Sequence, residues 1–176
     1  MDNNDSIVVI INGKPRSGKD TFCNFVTKYC EEKGMYCDTW STIDFEKELL
    51  EDIVNREYDP KSAIDRSFLS DLKRLLNQYY DITFRDFTNL LDYYKGVFLI
   101  HTREWVEILK FQDYCRNNDI KFITVFLSRP EEQNFNNNSD LLCDSEKSMY
   151  DIIIKNNGTL EDLEENAKQF CESRLF

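Results

Sequence analysis

Ile7-Val8-Val9-Ile10-Ile11-Asn12-Gly13-Lys14-Pro15-Arg16-Ser17-Gly18-Lys19-Asp20-Thr21-Phe22 is the stretch whose reading decides the fold. An apolar run of strand length comes first, then Gly-x-x-x-x-Gly-Lys from Gly13 to Lys19, then helical apolar spacing from Phe22 to Tyr29. Strand, glycine-bounded loop and helix in that order make a phosphate-binding P-loop in the context it requires. The glycines let the backbone fold tightly around an oxyanion, with successive N–H groups pointing inward at it. The helix that follows adds its positive dipole end. Lys19 supplies a mobile charge for the β- and γ-phosphates of a nucleotide, and Lys14 and Arg16 add two cations within the loop. One letter departs from the usual pattern: Asp20 stands where Ser or Thr normally binds magnesium. An aspartate there repels a triphosphate unless a cation lies between them, so Asp20 is read as linked to Mg2+, with the Thr21 hydroxyl one position later. The rival reading gives Asp20 only a dipole role at the helix N-terminus.

Composition narrows the classes. A chain of 176 residues suits one domain with a full hydrophobic core. No apolar run approaches a membrane span, and Met1-Asp2-Asn3-Asn4-Asp5 resembles no secretion or organelle signal, so a cytoplasmic protein without a membrane partner is expected. A net charge of −11 disfavours binding to nucleic acid polymers, which need a basic surface, but leaves room for a nucleotide pocket built from a few cations. The six cysteines form no Cys-x-x-Cys pair, and the single histidine, His101, cannot complete a zinc set with them. Reduced thiols are expected.

The remaining sequence alternates strand-like and helix-like segments, as a parallel α/β sheet should. Strands are expected at 7–12, 35–40, 97–102, 122–128 and 150–155, giving a five-stranded parallel sheet flanked by helices. Helices are expected at 19–33, 104–117 and 160–174, the last with Thr159 and Asp162 as a cap signal. The region 43–94 is too long for a simple crossover. It is read as a helical insertion within the single domain, in three pieces broken at Asp59-Pro60 and at Tyr80-Asp81-Ile82-Thr83. Such an insertion holds a second substrate or simply covers the sheet. Residues 131–146 are polar, with four asparagines at Asn134, Asn136, Asn137 and Asn138, and read as a lid-like loop.

Chemistry-bearing residues gather at the expected carboxyl ends of strands, where parallel sheets bind ligands. Arg103 follows the third strand and is placed to clamp a phosphate, with Glu104 to orient it; His101 occupies the slot of the usual strand-end acid. Trp40, Ser41 and Thr42 end the second strand. Arg66 and Lys73 lie seven apart in one helix and share a face, for an acceptor phosphate or for surface ion pairs. Arg129 ends the fourth strand, and Asn156, with Gly158, follows the fifth, where an adenine often rests. No Asn-Lys-x-Asp guanine signature is present.

On these residues the chain resembles the bacteriophage-type deoxynucleoside monophosphate kinases, whose loop reads Arg-Ser-Gly-Lys-Asp-Thr as at Arg16 to Thr21. Animal phosphomevalonate kinases are similar in the loop. Ile100-His101-Thr102-Arg103-Glu104 resembles their strand ending in Asp-x-Arg. Asp144-Ser145-Glu146 and Asp151-Ile152-Ile153-Ile154-Lys155-Asn156-Asn157-Gly158-Thr159-Leu160 resemble their closing segment. The resemblance spans residues 7 to about 165 and implies ATP- and Mg2+-dependent phosphoryl transfer to a small molecule bearing a phosphate. The implied ATP contacts are Gly13, Lys14, Pro15, Arg16, Ser17, Gly18, Lys19, Asp20, Thr21, Asn156 and Gly158. Lys19, Arg16, Arg103 and Arg129 are the implied catalytic cations, and Trp40, Ser41, Thr42, Arg66, Lys73, Arg103 and Glu104 the acceptor contacts. Two departures stand out: His101 replaces the aspartate, and 131–146 contains no arginine or lysine. They keep open a nucleotide-binding sensor without turnover. The oligomeric state is open, a homodimer being allowed.

Overall fold

The computed structural model describes residues 6–129 and 149–176; the lid-like loop expected at 131–146 lies outside the described residues. By residue contacts the chain divides into two compact units, one running through Trp40 and resuming at Tyr94, the other Ser41–Tyr93.

The first unit is organised by strand β1, Ile7–Gly13, whose seven residues are all buried. It pairs in parallel with β3, Val97–His101, on one edge and with β4, Lys121–Ser128, on the other. Strands β2, Cys37–Ser41, and β5, Ile152–Lys155, complete a five-stranded sheet in the order β2-β3-β1-β4-β5. A central parallel strand is covered on both faces, which is why this one is continuously apolar rather than alternating. The period of two still shows in where the side chains go. Ile7, Val9 and Ile11 join Val97, Leu99, Val125 and Leu127 in one core. Helix α1, Lys19–Glu32, contributes Phe22, Val26 and Cys30 to it, and helix α6, Leu160–Arg174, contributes Leu163, Ala167 and Phe170. Helix α5, Trp105–Asn117, packs on β4 and buries Ile108, Phe111 and Cys115.

Thr159 and Asp162 form the expected cap at the start of α6, each side chain bonded to the other's backbone N–H. Asp151 clamps β5 to β4: Thr124 donates its N–H and its hydroxyl to the Asp151 carboxylate, each at 2.8 Å. Five cysteines are free and buried among the described residues. No helix among them is long and apolar enough to cross a membrane.

The second unit holds helices α2, Asp44–Val54, α3, Ala63–Tyr80, and α4, Ile82–Tyr93. The three pieces are those expected, but the stops differ. Helix α2 ends at Asn55, in the left-handed region at φ 52°, five residues before Pro60. The break between α3 and α4 is the single residue Asp81, at φ 49°, rather than a four-residue separator. Short polar side chains tolerate that conformation, so each stop is made locally and the proline is not needed. Asp65, in the first turn of α3, is buried and accepts two bonds of 2.7 Å from the Arg56 guanidinium. It also accepts from the Asp59 N–H at 3.1 Å and the Ser62 hydroxyl at 3.1 Å.

Those bonds, Arg56 first and the Asp59 N–H next, hold the Asp65 carboxyl well below the usual carboxylate range. A depressed folded-state pKa contributes stability that is complete above the unfolded value of about 4 and is lost as pH falls below it. Asp65→Asn is expected to lower the urea midpoint at pH 7 and to flatten its decline below about pH 4. A variant whose acid limb matches the wild type contradicts this account.

Candidate functional site

At Gly13 the central strand releases the chain at the carboxyl edge of the sheet. Gly13 lies opposite Leu127 in register, at φ 153°, and a Cβ there would stand 2.5 Å from the Leu127 carbonyl and 2.7 Å from Ser17 Oγ. Gly18, at φ 92°, is the N-cap of α1, and a Cβ on it would stand 2.5 Å from the Asn156 amide nitrogen. Only glycine fits either place without strain. Between them Ser17 N–H donates to the Lys14 carbonyl at 3.1 Å, and Arg16 takes the left-handed conformation at φ 65°. A left-handed residue within so tight a turn is the backbone geometry from which anion-binding nests are built.

Two further observations point to an anion. Helix α1 starts without a side-chain cap. Ser17 is fully buried, yet its hydroxyl has no hydrogen-bond partner. An orphaned buried hydroxyl costs about 1–3 kcal/mol, which a bound acceptor would recover.

Asn156 is buried and closes the loop from the far side. Its amide donates to the Ser17 carbonyl at 2.9 Å, and its own N–H bonds to the Ser128 carbonyl at 2.8 Å. The loop is therefore braced by the end of β5, and Gly158 follows in the short connection to α6.

The neighbouring strand end supplies His101, beside Ile11 in register. Its Nε2 lies 3.3 Å from Cys23 Sγ and its Nδ1 lies 3.9 Å from Asp20 Oδ1. Burial, and next the negative charge of Asp20, raise the Cys23 thiol far above its ordinary range, so it keeps its proton. The direction of the Cys23–His101 hydrogen bond follows the tautomer of the ring. The Asp20 carboxylate itself is 90% exposed in the first turn of α1.

The other expected residues of this unit fall as follows. Lys14 is buried, Pro15, Lys19 and Thr21 are half-buried, and Arg16 is exposed. Arg103 is half-buried just past β3, Glu104 is the exposed N-cap of α5, and Arg129 is exposed one residue past β4. Trp40 is half-buried near the end of β2. In the second unit Lys73 is buried and donates to the Thr42 hydroxyl at 3.1 Å, while the Ser41 N–H bonds the Asp44 carboxylate at 2.8 Å. Arg66 is exposed, so the face that the seven-residue spacing gives it with Lys73 is divided by burial.

Sequence reasoning passed over Asn12 and Tyr150. Asn12 accepts from the Gly13 N–H at 2.7 Å and donates to the Tyr150 hydroxyl at 2.6 Å, while Tyr150 stacks on Trp105 with ring centroids 5.1 Å apart. An asparagine closing an apolar run was the available signal for the first. Nothing local marks a tyrosine 138 residues away.

Among the described residues no group of three or more His, Cys, Asp or Glu is placed to hold a metal ion. A Mg2+ at this loop would therefore rest on the exposed Asp20 carboxylate, the Thr21 hydroxyl and the nucleotide's phosphates. That donor set fits, because the ion prefers hard oxygens and commonly takes only one or two carboxylates from a protein.

No protein-family model matches the chain, and no curated protein matches it in sequence. Solved structures do match in shape. The APS kinase of Mycobacterium tuberculosis in complex with AMPPNP and APS aligns with TM-score 0.55 at 14% identity, over 96% of this chain and 99% of that one. A mutant of the same enzyme aligns at 0.53 with 16% identity over the same shares. The shikimate kinase of Aquifex aeolicus aligns at 0.56 with 11% identity, over 97% and 99%. The chain thus has the P-loop kinase fold: five parallel strands, flanking helices and the nest at the end of the central strand.

Asn156→Ala leaves the Ser17 carbonyl without its partner at a buried position and is expected to cost about 1–3 kcal/mol in urea unfolding. An unchanged midpoint shows that the brace contributes nothing.

Proposed function

We propose that the chain is an ATP-dependent kinase that transfers the γ-phosphoryl group to a small molecule already bearing a phosphate, in the first place a nucleoside or deoxynucleoside monophosphate. The observation that carries this reading is the loop from Gly13 to Gly18, where a nest of backbone N–H groups meets an uncapped helix start and an orphaned Ser17 hydroxyl. The likeness in fold to a structure holding AMPPNP and APS supports a nucleotide as the donor. The resemblance to nucleotide kinases at Arg16–Thr21 and Asp151–Leu160 supports a monophosphate as the acceptor.

In this mechanism the loop and Lys19 hold the β- and γ-phosphates of the donor. Arg16, Arg103 and Arg129 neutralise the charge that spreads over the transferring group, since such reactions depend on positioning and electrostatics rather than covalent help. Asn156 and Gly158 border the adenine. Trp40, Ser41, Thr42, Arg66, Lys73, Arg103 and Glu104 serve the acceptor, residues 43–94 acting as an insertion within one kinase domain. Bound Mg2+, held by Asp20 and Thr21, would supply charge neutralisation on the phosphates. The acceptor's phosphate oxygen is already a nucleophile, so no general base is required. A cytoplasmic location belongs to the same reading.

A nucleotide-binding protein without turnover is the second reading, favoured by His101 at the strand end in place of an aspartate. The two separate cleanly. Lys19→Ala is expected to weaken ATP by roughly ten- to a hundredfold in calorimetry, the loss of one charge-assisted interaction of about 1.5–3 kcal/mol. With labelled ATP and a panel of nucleoside monophosphates, the wild type is expected to form labelled diphosphate and Lys19→Ala to form far less. ATP binding without transfer to any monophosphate sinks the nucleotide-kinase reading.

A further inference from the structure

Helix α3 buries Asp65, Leu69 and Lys73 on one side and carries a second apolar stripe on another, open to solvent. Ile64, Phe68, Leu75 and Tyr79 are 82%, 44%, 54% and 88% exposed. Spaced by four, seven and four residues, they fall at 100° per residue within about 60° of arc, a narrow apolar stripe of the kind that pairs with another helix. Between Phe68 and Leu75 the stripe is bordered on one side by the half-buried Leu72 and on the other by Asp71, ion-paired at 3.5 Å with Arg74.

We propose that this stripe is the interface for a second copy of the chain, with α3 packed antiparallel against α3 about a two-fold axis between residues 71 and 72. The stripe is its own complement under that symmetry. Ile64 meets the partner's Tyr79 and Phe68 meets the partner's Leu75, setting a smaller side chain against a larger one at each layer, as an isologous contact allows. Charge selects the same occupant. A molecule of net charge −11 repels its own copies, so a homotypic contact needs a face that is locally neutral. The Asp71–Arg74 pair provides this, and the two-fold brings each Asp71 within reach of the partner's Arg74, an alternating ring of four charges. The four side chains expose apolar surface on the order of 500 Å² per copy, enough for the centre of an interface of about 800 Å² per partner.

Sedimentation velocity on the full chain tests this. The wild type is expected to shift from monomer to dimer between about 1 and 100 µM, reaching twice 21.0 kDa. Phe68→Glu and Leu75→Glu are each expected to weaken the dimer at least about tenfold, with unchanged circular dichroism and with an unchanged thermal midpoint at concentrations where all are monomeric. In a Cys143→Ser background, chains carrying Phe68→Cys and Leu75→Cys singly are mixed with a short bismaleimide, and cross-links between 68 and 75 are expected to exceed those between 68 and 68. A wild type that stays monomeric throughout overturns the proposal, which is also the outcome if the stripe serves a different protein. A dimer indifferent to Leu75→Glu, or cross-links dominated by 68 to 68, overturns it equally.

Discussion

A strand hydrogen-bonded along both edges and covered on both faces has no freedom about where its chain emerges, and β1 is such a strand. Its register against β4 puts the last residue opposite the Leu127 carbonyl, at a distance no side chain tolerates. Gly13 is therefore a packing requirement before it is a binding feature. The same register sets His101 beside Ile11 and brings the end of β5 level with Leu127 and Ser128. The nest, the strand-end histidine and the Asn156 brace are three consequences of one buried strand held in one register.

Legibility in the sequence follows the range of the interactions concerned. Residues 7–22 were readable because strand, loop and helix are contiguous and each glycine answers to a nearby backbone need. The Thr159–Asp162 cap spans three residues and was equally plain. In the helical region Asp59-Pro60 falls within the break between α2 and α3, while the stops themselves are Asn55 and Asp81 in left-handed conformations, a weaker mark than a proline because short polar residues also occur within helices. Contacts across the fold were out of reach altogether. Asn12 with Tyr150 and Cys23 with His101 join residues 138 and 78 positions apart, and only the sheet order brings them together. Arg66 and Lys73 show the limit of periodicity, since seven-residue spacing specifies a shared direction but not which of two long cations will be buried.

Burial of charge organises the second unit. Asp65 and Lys73 both lie on the covered side of α3, and a buried charge needs partners to repay its desolvation. Asp65 has the Arg56 fork and two further donors, while Lys73 reaches the hydroxyl of Thr42 at the head of α2. These bonds tie the segments before α2 and before α3 to the body of α3. They act beside the buried Leu50, Leu69, Phe87 and Leu91 of the same unit.

The strand-end histidine changes the electrostatics of the loop more than a loss of one acid implies. A carboxylate at position 101 would stand near the Asp20 carboxylate, adding a second negative charge beside the loop. The imidazole instead lies 3.9 Å from Asp20 and 3.3 Å from a thiol that burial keeps protonated. Asp20 is thereby the one carboxylate of this pair of positions, oriented from behind by a group without negative charge and exposed on its open side. A loop arranged this way carries less negative charge than one with two acids. His101 and Asp20, far apart in sequence, lie 3.9 Å apart in space, so it is an imidazole and not a second acid that faces the Asp20 carboxylate.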